Sequence, residues 1–296
     1  MKSRTPGFIG IGAQKSGTSW LYKQFEKSSQ IDLPPIKELH YFDRSKIYPS
    51  PKFNMESKLH KRLFNLKWTF SALRTIKNNY EKRNWYKKWF FSNYTDEWYL
   101  SLYQDFIKFS GEITPAYAIL KEEDVKKMSE LLGKDTKIIF MVRHPVERSW
   151  SSFKYKYRRD DSVLSDTEFA KQYFLTDEHK LRCDYLRTIT LYKKYFNSIF
   201  IGFFEAIIET PECLLKEVFK YLELDVNEVG NFKGLKNRVN KSKPMPIPEN
   251  IRFFLEKMHK EQIDQLALNY GLYFNKWQSK INYDNETNYE PYIVLK

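Results

Sequence analysis

The chain is poor in cysteine and has no long apolar run. Cys183 and Cys213 are its only two cysteines in 296 residues, too few for a disulfide framework. Both are expected to be buried thiols. No stretch approaches the roughly 18 consecutive apolar residues of a membrane-spanning helix. Residues 1–7 are polar and lack the apolar core of a secretory leader. These absences point to the reducing cytoplasm. Internal repeats and low-complexity linkers are missing too, so the chain reads as an ordered globular fold. Glycine is scarce, at ten residues, which makes any regularly spaced pair of glycines conspicuous.

What is present is aromatic and basic. Aromatic residues make up 17% of the chain, and the net charge is +13. The charge is concentrated. Between Lys46 and Tyr94, twelve lysines and arginines face only Glu56 and Glu81, amid twelve aromatics that include Trp68, Trp85 and Trp89. Two readings compete. The segment is either a set of solvated helix faces with aromatics in the core, or a surface that steers an anionic or sugar-bearing acceptor.

Strand and helix signals alternate along the chain. Short apolar runs at Phe8–Ile11, Lys137–Val142 and Ser198–Phe204 predict buried strands. Helices are predicted over Ser19–Lys27, after Pro145, over Pro211–Leu222 and over Pro248–Gly271, the last stopped by glycine. Leu59, Leu63, Leu66, Phe70 and Leu73 recur at spacings of three and four, which predicts an amphipathic helix within Met55–Tyr80. Thr95 followed by Asp96 and Glu97 reads as a helix N-cap. The alternation implies an α/β fold, a P-loop-like, doubly wound parallel sheet flanked by helices. A single domain over 1–296 is expected, with a mainly helical insertion at about 44–106. Ligands bind such sheets at the carboxyl ends of the strands, so the residues just after Ile11 and Val142 should face one crevice.

After Ile11 the chain reads Gly-Ala-Gln-Lys-Ser-Gly-Thr-Ser-Trp-Leu. A glycine turn at a helix N-terminus binds anions through its backbone N–H groups and the helix dipole. Lys15 adds a charge, and Ser16, Thr18 and Ser19 add donors. Gly12 and Gly17 have the spacing of a nucleotide P-loop, but Thr18 stands where that loop places lysine. The strand Lys137–Val142 runs into Arg143 rather than a metal-binding aspartate, which argues for a second anionic group and not for a cation.

These residues resemble the sulfotransferases that use 3′-phosphoadenosine 5′-phosphosulfate (PAPS). Gln14–Leu21 (QKSGTSWL) is similar to the 5′-phosphosulfate loop of that family. Arg143–Ser151 (RHPVERSWS) is similar to its second motif, an arginine at a strand end with serine eight residues on. Lys37–Asp43 (KELHYFD) and Gly111–Tyr117 (GEITPAY) look like segments of heparan-sulfate-type and related bacterial members. The resemblance covers most of the chain outside about 44–94. It implies transfer of a sulfuryl group to an acceptor hydroxyl without a metal, with adenosine 3′,5′-bisphosphate as product. It also implies that Lys15, Ser16, Gly17, Thr18, Ser19 and Trp20 bind the nucleotide, and that Arg143 and Ser151 hold its 3′-phosphate. Lys15 is placed to stabilise charge developing on the bridging oxygen.

Glu38 is the family-matched general base for the acceptor hydroxyl. It follows Pro34 and Pro35, which favour extended chain, and in extended chain Glu38 and His40 point to one side and Leu39 to the other. Two features depart from the family pattern. Ile113 stands where heparan-type enzymes carry lysine, and the loop that closes over the 3′-phosphate is represented only by Lys233, Arg238 and Lys241. Arg148 reads as a solvated side chain. His60, His144, His179 and His259 have no supporting context, though His144 can pack at a helix start. The acceptor expected is a glycan or glycoconjugate, with no specific nucleic acid and no membrane span. A P-loop kinase would instead need magnesium and ATP. A basic nucleic-acid-binding protein would bind RNA with a steep salt dependence unaffected by changing Lys15.

Overall fold

The computed structural model describes residues 5–49, 58–59, 65–237, 245–278 and 291–296. Its centre is a six-stranded sheet in the order β2-β3-β1-β4-β5-β6. The strands are β1 (Phe8–Gly12), β2 (Ile31–Asp32), β3 (Phe109–Ile113), β4 (Lys137–Val142), β5 (Ile199–Phe203) and β6 (Tyr292–Leu295). The first five run parallel, and β6 is antiparallel to β5. Every residue of β1 and β5 is buried, as a parallel sheet covered on both faces requires. The strand predicted over Lys137–Val142 is present as such. The one predicted over Ser198–Phe204 is one residue shorter at each end, because Phe204 already begins a helix.

β1 and β4 are neighbours, with Ile9 beside Ile138 and Gly10 beside Ile139. The chain leaves β1 toward β2 on one side and leaves β4 toward β5 on the other. The sheet therefore changes winding direction between them, and the loops after Gly12 and Val142 flank the crevice at that switch point.

The helix Pro145–Lys156 turns Val146, Trp150 and Phe153 inward, at spacings of four and three, onto Ile251 and Leu255 of the helix Glu249–Tyr270. That packing fixes the helix with Lys154 close enough to act on Lys15 of the loop after β1. Burial of one such side chain contributes about 1.5–3 kcal/mol.

Among the described residues, three helices lie between β2 and β3, at Leu66–Asn78, Arg83–Phe90 and Asp96–Ser101. Three of their four tryptophans belong to the core. Trp85, Trp89 and Trp98 are buried, with the Trp85 and Trp89 rings stacked 5.5 Å apart. The Trp85 and Trp98 indoles donate to the carbonyls of Leu102 and Lys88 at 2.9 and 2.7 Å. For these aromatics the core reading holds, and they are not available to stack on a sugar.

The helix expected within Met55–Tyr80 is described only over Leu66–Asn78, and Leu63 lies outside the described residues. Its orientation differs from that expectation. Ala72 and Ile76 are buried, whereas Leu66, Phe70 and Leu73 face solvent. The periodicity was real but marks the outward face. Cys183 is buried as expected, and Cys213 is exposed, on the outward side of the helix Pro211–Tyr221.

Candidate active site

The loop after β1 enters the helix Thr18–Phe25 through Gly17, whose φ of 91° is left-handed. Only glycine fits there. A Cβ on Gly17 would stand 2.3 Å from Ile207 Cδ1. The helix begins without a side-chain cap and without an acid in its first turn. The first bonds to its opening turn are Trp20 and Leu21 N–H to the Gly17 carbonyl, at 2.9 and 3.1 Å, so Thr18 and Ser19 N–H belong to the orphan donors of the helix start. Ser16 is fully buried, but its N–H turns inward to the Ala13 carbonyl at 3.2 Å. The donors presented by this turn are therefore Gly17, Thr18 and Ser19 rather than Ser16.

Five cations converge on this turn. Lys15 is half-buried, and its amine is lowered to about 8, first by burial and then by Arg143, Arg158, Lys154 and Lys37. A cluster of like charges that lowers one of its own members is a site built for an anion. Arg143 leaves the end of β4. Its guanidinium lies 4.3 Å over the Phe204 ring and 3.9 Å from Glu147, and burial is the main cause that lowers its pKa. The Tyr185 hydroxyl donates to the Arg143 carbonyl at 2.9 Å, and Glu205 accepts the His144 N–H at 2.9 Å. The turn after β4 is thereby fixed from two sides. Ser151 is buried two turns into the helix that follows. Tyr155 lies between two cations, Lys15 at 4.2 Å from its ring centre and Arg158 at 4.5 Å.

The second half of the site is the segment Lys37–Asp43. Lys37 Nζ donates to Ser19 Oγ at 2.8 Å and pairs with Glu38 at 3.1 Å. Glu38 Oε2 is 3.6 Å from His40 Nε2, and His40 Nδ1 is 2.7 Å from Asp43 Oδ2. Glu38 and His40 do meet on one side, with Leu39 fully buried on the other. The backbone that achieves this is not extended. Glu38 and His40 have φ of 61° and 52°, a left-handed kink at each. Burial acts to raise the Glu38 carboxyl, but His40 and Lys37 outweigh it and hold it below its ordinary value. Burial acts to lower His40, but Asp43 and Glu38 push it up to about 9. At neutral pH Glu38 is a carboxylate and His40 a cation.

Behind the segment lies Glu112 of β3. It accepts from Tyr99 and Tyr117 at 2.6 and 3.1 Å, from Thr114 at 2.6 Å and from Leu39 N–H at 3.3 Å. Burial raises its pKa despite these four donors.

Several expected residues sit differently. Trp20 is buried, and its indole donates to the Leu235 carbonyl at 2.7 Å, so it ties the helix Thr18–Phe25 to the 233–237 segment rather than facing the crevice. Lys27 Nζ reaches the Lys233 carbonyl of that segment at 2.8 Å. Arg238 and Lys241 lie outside the described residues, as does His60.

Arg148 is not solvated. It is 0% exposed, with its guanidinium 3.4 Å from the Gln14 carbonyl and 2.7 Å from Cys183 Sγ. The sequence also failed to single out Lys37, Lys154 and Arg158. Part of the signal was present, since Ser151 and Lys154 are three residues apart on one helix face, with Arg158 in the turn just beyond.

His179 and His259 do have context. With Cys183 they form the cluster of potential metal ligands found among the described residues, their ligand atoms within 4.8 Å of one another. Ser149 Oγ sits among them, 3.0 Å from His179 Nε2, 3.1 Å from His259 Nε2 and 3.5 Å from Cys183 Sγ. Burial lowers both imidazoles, to about 2 and about 3, with Arg148 the next cause. Both are therefore neutral. A hydroxyl occupies the centre and a guanidinium stands beside the thiol, so the cluster fits a hydrogen-bonded brace for Arg148 better than a cation.

The crevice residues fit a polyphosphorylated nucleotide. They offer an uncapped helix start, a turn that only glycine fits and a ring of cations. A groove of about 640 Å³ runs from Tyr22 and Pro34–Pro35, close by Lys37, to Asn78, Asn79, Tyr80 and Tyr86.

A family model described as "Sulfotransferase family" matches residues 6–228. No curated protein matches the chain. Among solved structures, a sulfotransferase from Alicyclobacillus acidocaldarius is similar at 18% identity and a TM-score of 0.62, covering 93% of this chain and 100% of the other. The sulfotransferase domain of the Synechococcus PCC 7002 olefin synthase is similar at 16% identity and a TM-score of 0.50, covering 88% and 96%. At these identities the likeness is one of fold.

Proposed function

The chain belongs to the sulfotransferase family and is a PAPS-dependent sulfotransferase, and we propose that it sulfates a carbohydrate hydroxyl by metal-independent, in-line transfer with Glu38 as base. One observation carries this reading. The cation ring around the start of the helix Thr18–Phe25 is linked through Lys37 to the Glu38–His40 pair. An anion site and a candidate base thus share a single side chain between them.

The co-substrate supplies a sulfuryl group on a phosphate that leaves as a stable anion. The N–H groups of Gly17, Thr18 and Ser19 bind the 5′-phosphate, and Lys15 stabilises charge at the oxygen that departs. Arg143 and Ser151 hold the 3′-phosphate. Lys154 and Arg158 add attraction at the rim. Glu38 takes the proton from the acceptor hydroxyl, and its lowered pKa keeps it ionised and ready. His40, charged at neutral pH, orients Glu38 and does not itself accept the proton.

The carbohydrate acceptor is supported by the Lys37–Asp43 segment, which resembles that of heparan-type enzymes.

Calorimetry with adenosine 3′,5′-bisphosphate, without magnesium and beside ADP and AMP, tests the donor site. Binding that requires the 3′-phosphate is expected. Preference for ADP with magnesium would return the loop to the kinases.

A further inference from the structure

The helix Leu66–Asn78 carries an outward apolar face that stays exposed among the described residues. Leu66, Phe70 and Leu73 are 69%, 69% and 51% exposed. Their spacings of four and three align them in one stripe along the helix. Lys77 continues the stripe by one further turn, and Lys67 and Arg74 form a second row beside it. The buried side of the helix is elsewhere, at Ala72 and Ile76, with Trp68 packed edge-on against Phe90 at 5.6 Å. The helix contains no acid. Apolar residues singly exposed need no explanation, but a row of three on one helix, flanked on its solvent side by cations, does.

We propose that this face docks on an anionic lipid surface, with the helix lying in the headgroup region. Leu66, Phe70 and Leu73 enter the acyl boundary, and Lys67, Arg74 and Lys77 meet lipid phosphates. The charge decides between occupants. Two copies of the chain meeting through this face about a two-fold axis would set six cations against one another without a carboxylate from either helix. An anionic membrane satisfies both rows at once. The docking is peripheral and distinct from a membrane span, for which no helix among the described residues is long and apolar enough.

The test is flotation of the full chain with vesicles. One preparation holds equal parts phosphatidylglycerol and phosphatidylcholine, the other phosphatidylcholine alone. Two variants separate the terms. Leu66→Ser/Phe70→Ser/Leu73→Ser keeps every charge, and Lys67→Gln/Arg74→Gln/Lys77→Gln keeps every apolar residue. Neither touches the core or the nucleotide crevice, so retained nucleotide binding marks an intact fold. The chain should partition about tenfold or more in favour of the anionic vesicles, and each variant should lose about tenfold. No partitioning, or partitioning that the serine variant leaves unchanged, overturns the proposal. The latter result would reduce the effect to the general basic charge of the protein. A concentration-dependent dimer that the serine variant abolishes, without vesicle binding, would also overturn it and assign the face to a second copy.

Discussion

His40 Nδ1 lies 2.7 Å from Asp43 Oδ2, and the Asp43 side chain is fully buried. The buried carboxylate is what makes a cation of a histidine that burial alone would neutralise. His40 then faces Glu38 as a charge and not as a competing base. The candidate base is oriented from behind by a largely buried pair.

This pair makes stability depend on pH. The imidazole titrates near 9 in the folded chain and near its ordinary 6.5 when unfolded. The stabilisation is fully present below about pH 6.5 and is lost as pH rises toward 9; its size is on the order of 3 kcal/mol. Asp43→Asn should flatten that part of the profile, read by denaturant unfolding across pH 6 to 9. An unchanged slope in the variant would mean that another group carries it.

Nucleotide binding should take up a proton. The Lys15 amine is lowered to about 8 by burial and by its cationic neighbours, and a bound polyanion reverses their effect. Affinity for adenosine 3′,5′-bisphosphate is then level below about pH 8 and falls above it. Calorimetry in buffers of different ionisation enthalpy reads the proton directly. Lys15→Met should abolish the uptake, and uptake that survives it would place the titrating group elsewhere.

Substitutions should divide binding from chemistry. Lys15→Ala should lower turnover about 100- to 1,000-fold while affecting product binding far less. Glu38→Gln should keep nucleotide affinity and lose about 100-fold or more in the transfer step. Arg143→Ala should weaken adenosine 3′,5′-bisphosphate by about tenfold to a hundredfold and spare AMP, which has no 3′-phosphate. Equal loss for both ligands would move the 3′-phosphate site away from Arg143.

Gly17→Ala should cost about 1–3 kcal/mol in thermal unfolding, from the left-handed φ and the clash with Ile207 together. Adding Ile207→Ala should not restore the wild-type stability, because the backbone term remains. Full recovery would show that the clash was the whole effect.

Much of the fold was legible because β1, β4 and β5 are short, almost wholly apolar and bounded by glycine or charge. β2, β3 and β6 were not legible: β3 carries Ser110 and Glu112, and two residues such as Ile31–Asp32 form a strand only because β3 is beside them. The helix Leu66–Asn78 shows a different limit. Periodicity reveals an apolar stripe but not which way it faces. Residues whose value lies in a motif, such as Lys15, Arg143 and Glu38, could be named from the sequence and are found around one crevice. Arg148 could not be placed, because its burial depends on Cys183 from a distant helix and on Gln14 from the first loop. Lys37 was visible only as a neighbour of Glu38. Its reach to Ser19 depends on the left-handed turn at Glu38, which no propensity announces.

Glu112 holds Tyr99, which lies between β2 and β3, together with the N–H of Leu39 in the candidate base loop. One carboxylate is therefore shared by two regions with different tasks. A graft that exchanged the helices of one relative for those of another, in order to change the acceptor, would carry away Tyr99 and leave a buried carboxylate short of a donor. The loop that carries Glu38 would register the exchange. Glu112 couples the helices between β2 and β3 to the loop that carries Glu38, and an engineer who alters those helices must redesign the hub at Glu112 along with them.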